Sequence, residues 1–166
     1  MASEVRDRTK YDMNLLKGIV ICKESGEYLV DLILDSDINP ILLSSFVGAL
    51  SLFGKDSLGR IEEIIIKGLN VQMIIVNRHS LVLIAILDKD FVKEGIREQA
   101  EKALDNFYTL YQDEIEECIE VCKFDSFKKI LYMQIEEYFH NLQNREEESM
   151  KDFGFFTEAI KKMREN

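Results

Sequence analysis

The sequence predicts an α/β (α+β) fold, in which a five-stranded antiparallel sheet carries one helix on one face and two helices on the other. Three observations predict this fold. Five short runs rich in Ile, Leu and Val lie before residue 88, and turn residues separate them. The run 81–87 is apolar at every position, as in a central strand covered on both faces. Two long stretches with apolar residues three and four apart then follow, which is typical of amphipathic helices.

The predicted order of elements is β-β-α-β-β-β-α-α. A turn at 23–26 joins the first two strands into a hairpin, and the compact polar turn 77–80 joins the last two. Hairpin connections of this length make the sheet antiparallel. The predicted strands cover residues 15–22, 27–34, 61–67, 71–76 and 81–87.

A helix is predicted over residues 40–54, between the second and third strands. Asp37 or Asn39 can cap it, Pro40 suits the first helical position, and Gly54 suits the stop. No charged residue occurs from 40 to 54, although 31% of the chain is charged. A helix that is apolar nearly all round is normally buried all round, so two different surfaces must cover it.

One face of this helix carries the larger side chains and is expected to pack on the core: Leu42, Phe46, Ala49, Leu50 and Phe53. The opposite side carries small residues, which allow another backbone to approach closely. We expect a partner protein to cover that side, although another part of this chain is the open alternative. The candidate partner-binding residues are Ile41, Ser44, Val47, Gly48, Ser51 and Leu52.

The C-terminal half is predicted to be helical, with a first helix over residues 90–121. A second helix, capped by Asp125 or Ser126, runs to about residue 142. The predicted organisation is a flexible lead over 1–14, one domain over 15–142, and a charged hinge with a short amphipathic helix over 143–166.

The charge distribution argues against several classes of partner. The net charge is −10, and residues 88–166 hold 20 of the 31 acidic residues but only 12 of the 21 basic ones. Such a surface repels phosphate backbones and anionic lipids, so neither nucleic acid nor direct membrane insertion is expected. Three cysteines without framework spacing suit a reducing compartment, and no secretory signal is visible. The expected location is the cytoplasm.

No motif for catalysis or cofactor binding occurs. The patterns GxGxxG, GxxxxGK[ST], HExxH and GxSxG are missing from the sequence. Cys118 and Cys122 could share a helix face, and His79 and His140 make a metal site arithmetically possible. Two half-buried thiols on an amphipathic helix are the simpler interpretation. We therefore expect no enzyme activity, no catalytic residue, no cofactor and no metal.

The element order, with LLKGIVICKESGEYLVDLIL and VQMIIVNRHSLVLIAILD as the two hairpins, resembles longin domains and the related roadblock domains of the profilin-like group. The resemblance covers residues 14–142, and the two C-terminal helices suit the longin arrangement better. It implies a non-catalytic module that pairs through the helix between strands two and three or through sheet edges. On this helix, the matching partner-surface positions are Ile41, Ser44, Gly48, Ser51 and Leu52.

Longin and roadblock domains serve as platforms for Ras-like small GTPases, in exchange-factor complexes, tethers and vesicle-trafficking machinery. The resemblance therefore implies a homodimer, or a heterodimer with another longin or roadblock protein, that scaffolds or regulates a small GTPase. Residues 145–166 are too short for the heptad helix and anchor of longin-bearing SNAREs, which favours an adaptor or regulator. The alternative is a small-molecule-sensing domain, which requires a pocket of roughly several hundred Å³ between the sheet and the long helix.

Overall fold

The computed structural model describes residues 13–35, 37–57, 59, 62–68, 70–91, 95–117 and 121–164. The predicted flexible lead lies outside the described residues except at its end, where Met13–Leu15 forms one turn of 3-10 helix. Cys118 also lies outside them.

Within these described ranges, five strands and three α-helices follow in the predicted order, and the predicted fold class is confirmed. The strands are β1 (Leu16–Lys23), β2 (Tyr28–Ile33), β3 (Glu63–Lys67), β4 (Val71–Arg78) and β5 (Leu81–Asp88). The helices are α1 (Pro40–Ser57), α2 (Ile96–Glu116) and α3 (Phe127–Arg164).

All neighbouring strands are antiparallel, in the order β2-β1-β5-β4-β3. The strand β5 therefore lies at the centre of the sheet, where the uninterrupted apolar run placed it. Each residue from Leu81 to Leu87 is buried. The polar turn His79–Ser80 joins β4 to β5, with φ angles of 58° and 61° that give the two strands a tight connection.

The two faces of the sheet carry separate cores. On one face, α2 and α3 cover alternate residues of β1, β4 and β5. On the other face, Val47 of α1 joins a smaller cluster with Val20, Ile75 and Ile84. Strand residues alternate between the faces, so one sheet supplies both cores. The large cluster includes Ala103, Leu104, Phe107, Phe127, Leu131, Ile135, Phe139 and Leu142 from the two long helices.

The ends of α2 differ from the prediction. The helix begins at Ile96, not at residue 90, because Gly95 adopts a left-handed conformation with φ 71° just before it. It ends at Glu116, short of the predicted residue 121, and its backbone is non-helical at Tyr111.

The predicted hinge after residue 142 was wrong, because α3 continues without a break to Arg164. The residues from 143 to 153 include neither Pro nor Gly and are rich in Glu, Arg, Met and Lys, which are good helix formers. A run of charge does not by itself end a helix, because a solvated helix face tolerates it. Within the described residues, no helix is both long enough and apolar enough to cross a membrane.

Candidate docking surface on the first helix

The start of α1 follows the predicted cap. Asn39 Oδ1 accepts hydrogen bonds of 3.1 Å from the backbone N–H groups of Ile41 and Leu42, and Pro40 occupies the first helical position. Gly54 does not stop the helix as predicted. It lies buried within α1, which ends one turn later at Ser57. Asn39 therefore caps the N-terminus of α1.

The prediction of which side of α1 packs on the core was wrong. The buried residues of α1 are those of the small side: Ser44, Val47, Gly48, Ser51 and Gly54. The side with the larger residues faces outward. Exposed fractions there are 69% at Leu42, 52% at Phe46 and 65% at Phe53.

A contact between two glycines explains this orientation. A Cβ atom placed on Gly48 would lie 2.4 Å from the Cα of Gly26, in the turn between β1 and β2. Gly26 itself has φ +96°, which glycine adopts at little cost. The inference that small residues admit a second backbone was therefore sound. The backbone they admit belongs to this chain's own hairpin.

The Ser44 hydroxyl on the buried side has a hydrogen-bond partner within the helix. Ser44 Oγ donates to the carbonyl oxygen of Pro40 at 2.8 Å, within the same helix. The Cys22 thiol lies beneath, fully buried. Burial raises its pKa from 9.0 to about 11, and a hydrogen bond with Ser44 opposes part of that rise. The thiol is therefore held neutral and acts as a small apolar side chain.

Four of the six candidate partner-binding residues are thus inaccessible in this fold: Ser44, Val47, Gly48 and Ser51. They pack against the chain itself, so they do not line a partner surface. Ile41 and Leu52 are each 63% exposed, and their role in partner binding stays a prediction.

We use "α1 surface" for the five exposed large apolar residues, Ile41, Leu42, Phe46, Leu52 and Phe53. Their exposed area is on the order of 600 Å², at the top of the range for the largest apolar patch on a typical monomer. Sequence reasoning assigned three of them to the core. The usable signal was the spacing of Ser44, Gly48 and Ser51, which marks a close backbone contact and leaves the large residues for the opposite side.

A polar cleft of about 610 Å³ adjoins the C-terminal end of the α1 surface, lined by Leu52 and Lys55 on one side. On the other side, the rings of His79 and Tyr108 stack at 4.5 Å with 8° between their planes. His79 Nε2 lies 2.6 Å from Asp105 Oδ1. An apolar centre beside a polar rim is the usual anatomy of a protein–protein interface.

The strand β3 offers a second accessible feature. Within the described residues its one neighbour is β4, so its outer edge carries unpaired backbone groups. Ile65 and Ile66 on this strand are partly exposed. An exposed apolar edge strand is a template for pairing with another chain.

The interior between the sheet and the two long helices contains a cavity of about 60 Å³. This volume is far below that of a site for a drug-sized ligand. Within the described residues, the pocket that the small-molecule alternative requires is therefore not present at the expected size.

A central five-stranded antiparallel sheet, with α1 on one face and α2 and α3 on the other, defines a longin or roadblock type of fold. The chain is similar to the solved structure of Myxococcus xanthus MglB, with 15% identity and a TM-score of 0.50. The match covers 68% of this chain and 96% of that one. The resemblance inferred from the sequence is confirmed at the level of the fold.

Two further solved structures are less similar. A Roadblock/LC7 domain from Streptomyces avermitilis is 10% identical over 58% of this chain and 85% of its own, with a TM-score of 0.48. The gliding protein mglB from Thermus thermophilus is 12% identical over 46% of this chain, with a TM-score of 0.42, and the match spans 64% of its length. No family model and no curated protein matches the sequence.

Proposed function

We propose that this chain is a non-catalytic interaction module of the cytoplasm that dimerises through the α1 surface and scaffolds or regulates a Ras-like small GTPase. We place it in machinery of the membrane-trafficking type. The observation that carries the proposal is the exposure of five large apolar side chains on a helix without charge from residue 40 to 54. Surfaces of this kind on soluble proteins mark interaction sites.

A second copy of the chain is the proposed occupant of the α1 surface. The exposed area, on the order of 600 Å², approaches the ~800 Å² per partner of a standard interface, and the polar cleft beside it can supply the remainder. Because the α1 surface is uncharged, two copies can meet there without opposing like charges, despite the net charge of −10. A heterodimer with another longin or roadblock protein would use the same surface.

The fold supports a small GTPase as the partner. Longin and roadblock domains serve as platforms for Ras-like GTPases, and this chain has a fold similar to that of Myxococcus xanthus MglB. The absence of catalytic motifs from the sequence supports a regulatory role rather than an enzymatic one.

Light scattering coupled to size exclusion tests the dimer. Leu42→Glu places a charge on the α1 surface, and Met133→Glu places the same charge on α3 at a residue of similar exposure, 67% against 69%. We expect wild type and Met133→Glu to be dimers and Leu42→Glu to be a monomer. A monomeric wild type, or a dimeric Leu42→Glu, would overturn the proposed dimer.

Binding measurements with purified GTPases test the proposed role as a scaffold or regulator of a small GTPase. The Ras-like GTPases encoded in the same genome are loaded with GDP or with a non-hydrolysable GTP analogue and titrated against the wild-type protein. We expect at least one to bind with a preference for one nucleotide state. If none binds in either state, the GTPase role is wrong even where the dimer is confirmed.

A further inference from the structure

The polar cleft of about 610 Å³ lies at the end of the sheet where the β1–β2 and β4–β5 turns meet the C-terminal parts of α1 and α2. Elements from both faces of the sheet therefore border one opening. Its volume is within the range of roughly 300–1,000 Å³ that is usual for small-ligand sites. Leu52 belongs to the α1 surface, but the rest of the wall does not, so a ligand site here goes beyond the proposed dimer.

Ser51 of α1 carries a buried hydroxyl that opens on this cleft. The residue is 6% exposed and lines the cleft. Ser44 and Ser45 in the same helix each donate to a carbonyl oxygen one turn earlier. Ser51 Oγ makes no such bond and has no hydrogen-bond partner among the described residues, yet it is not fully enclosed. Because a buried polar atom is normally paired, this hydroxyl is available to a molecule in the cleft.

Two carboxylates line the same cleft, from Glu24 at the β1–β2 turn and Glu116 at the end of α2. Within the described part of the chain, neither side chain forms an ion pair or a hydrogen bond. The helices α1 and α2 also end beside the cleft, at Ser57 and Glu116. The C-terminal end of a helix carries roughly half a negative charge. All four features attract a cation.

The positive groups in the wall offset only part of this charge. Lys23 is already paired with Glu27, at 3.0 Å. His79 Nε2 lies 2.6 Å from Asp105 Oδ1, so a charge on this ring would also be paired. Lys55 is exposed and has no ion pair among the described residues. One cation therefore stands against two free carboxylates and two helix ends, and the cleft keeps an excess of negative charge.

We propose that the cleft binds a primary alkylammonium ion, supplied by a free amine or by a lysine side chain. The ammonium group donates a hydrogen bond to Ser51 Oγ, and the carboxylates of Glu24 and Glu116 attract its charge. The alkyl chain lies against Leu52 and Ile115. An anionic ligand would meet the two carboxylates as like charges, so the site selects against it.

Three probes of matched chain length separate charge from apolar contact. Pentan-1-amine and pentan-1-ol have the same number of heavy atoms, and pentanoate carries the opposite charge. Each is titrated into the ¹³C-methyl-labelled protein, and the NMR shifts of the Leu52, Leu81 and Ile115 methyl groups are followed. We expect saturable shifts with the amine, binding of the alcohol roughly tenfold weaker, and no saturable shift with pentanoate.

A fourth probe, N-acetyl-lysine N-methylamide, distinguishes the two sources of the ammonium group. Binding tighter than that of pentan-1-amine identifies a lysine side chain as the ligand. Weaker binding identifies a free amine.

Four variants locate the site. Glu116→Gln should weaken binding of pentan-1-amine about fivefold, whereas Glu117→Gln makes the same change of charge outside the cleft lining and should bind like wild type. Ser51→Ala removes the buried acceptor and should also weaken binding about fivefold. Lys55→Gln removes the opposing cation and should tighten binding. This last change has the opposite sign for an anion site.

The proposal is overturned if pentan-1-amine gives no saturable shift, if the alcohol or pentanoate binds as tightly as the amine, or if Lys55→Gln weakens binding of the amine. The titration is repeated in Leu42→Glu, a residue outside the cleft lining, and the amine should bind as in wild type. Failure of the dimer is thereby distinguished from failure of this site. Circular dichroism of each variant confirms that it is folded before its titration is interpreted.

Discussion

Gly48 in α1 lies against Gly26 in the β1–β2 turn so closely that a Cβ atom on Gly48 would stand 2.4 Å from the Gly26 Cα and 2.7 Å from the Gly26 nitrogen. Both obstructing atoms belong to the backbone, which cannot rotate away as a side chain could. The contact fixes how α1 sits on the hairpin. It therefore determines which residues of α1 face the solvent.

Gly48→Ala tests this contact. Alanine should stabilise a helix interior by ~1 kcal/mol relative to glycine. The clash with Gly26 outweighs that gain, and we expect a net loss of about 1–3 kcal/mol in the free energy of unfolding. Urea denaturation measures it. An increase in stability would show that the helix does not approach the turn this closely.

The adjacent residues Val47 and Phe46 test the orientation of α1 directly. Val47 is 0% exposed and Phe46 is 52% exposed. Val47→Ala leaves a gap in the core beneath the helix and should cost about 2 kcal/mol. Phe46→Ala removes more atoms from the surface and should cost less than about 0.5 kcal/mol at low protein concentration, where the monomer predominates. Denaturant unfolding measures both losses. If Phe46→Ala proved more destabilising than Val47→Ala, the opposite face of α1 would have to pack on the core.

The buried Cys22 thiol predicts a loss of stability in alkali. Its pKa is raised to about 11 in the folded chain, so between its ordinary value of 9.0 and 11 the unfolded chain loses this proton before the folded chain does. Stability from this group is fully present below pH 9 and is lost as pH rises towards 11. Cys22→Val removes the ionisable group, so its unfolding free energy should fall less over this range. Denaturant unfolding at several pH values measures this. Equal slopes of unfolding free energy against pH for wild type and Cys22→Val would contradict the burial of the thiol.

The β4–β5 turn carries a strained serine. Ser80 has φ 61°, a left-handed conformation that costs a residue with a Cβ about 1–2 kcal/mol. Ser80→Gly should therefore stabilise the fold by ~0.5–1 kcal/mol after the greater flexibility of unfolded glycine is subtracted. The matched control is Ser25→Gly, in the exposed β1–β2 turn, where φ is not positive and the same exchange should destabilise. We expect the midpoint of thermal unfolding to rise for Ser80→Gly and to fall for Ser25→Gly.

The sequence predicted most of the fold because its elements differ in periodicity. The run 81–87 is apolar at each position, and it proved to be the central strand with both faces covered. Turn residues marked both hairpins, and Asn39 marked the start of α1. The sequence predicts the end of α3 too early, because the cluster of charge at 143–152 is typical of a break although its residues favour a helix.

The sequence predicted that one side of α1 is not covered by the core, but with the inner and outer sides exchanged. Periodicity reveals the side of a helix that faces the core only when the opposite side is polar, and α1 has no charge from residue 40 to 54 on either side. The sequence by itself therefore determined that α1 is a helix and that one surface of this chain cannot fully cover it. Only the tertiary structure decided which side is free, because that choice depends on the fit between the backbones of Gly48 and Gly26, which are distant in sequence and meet when the sheet has formed.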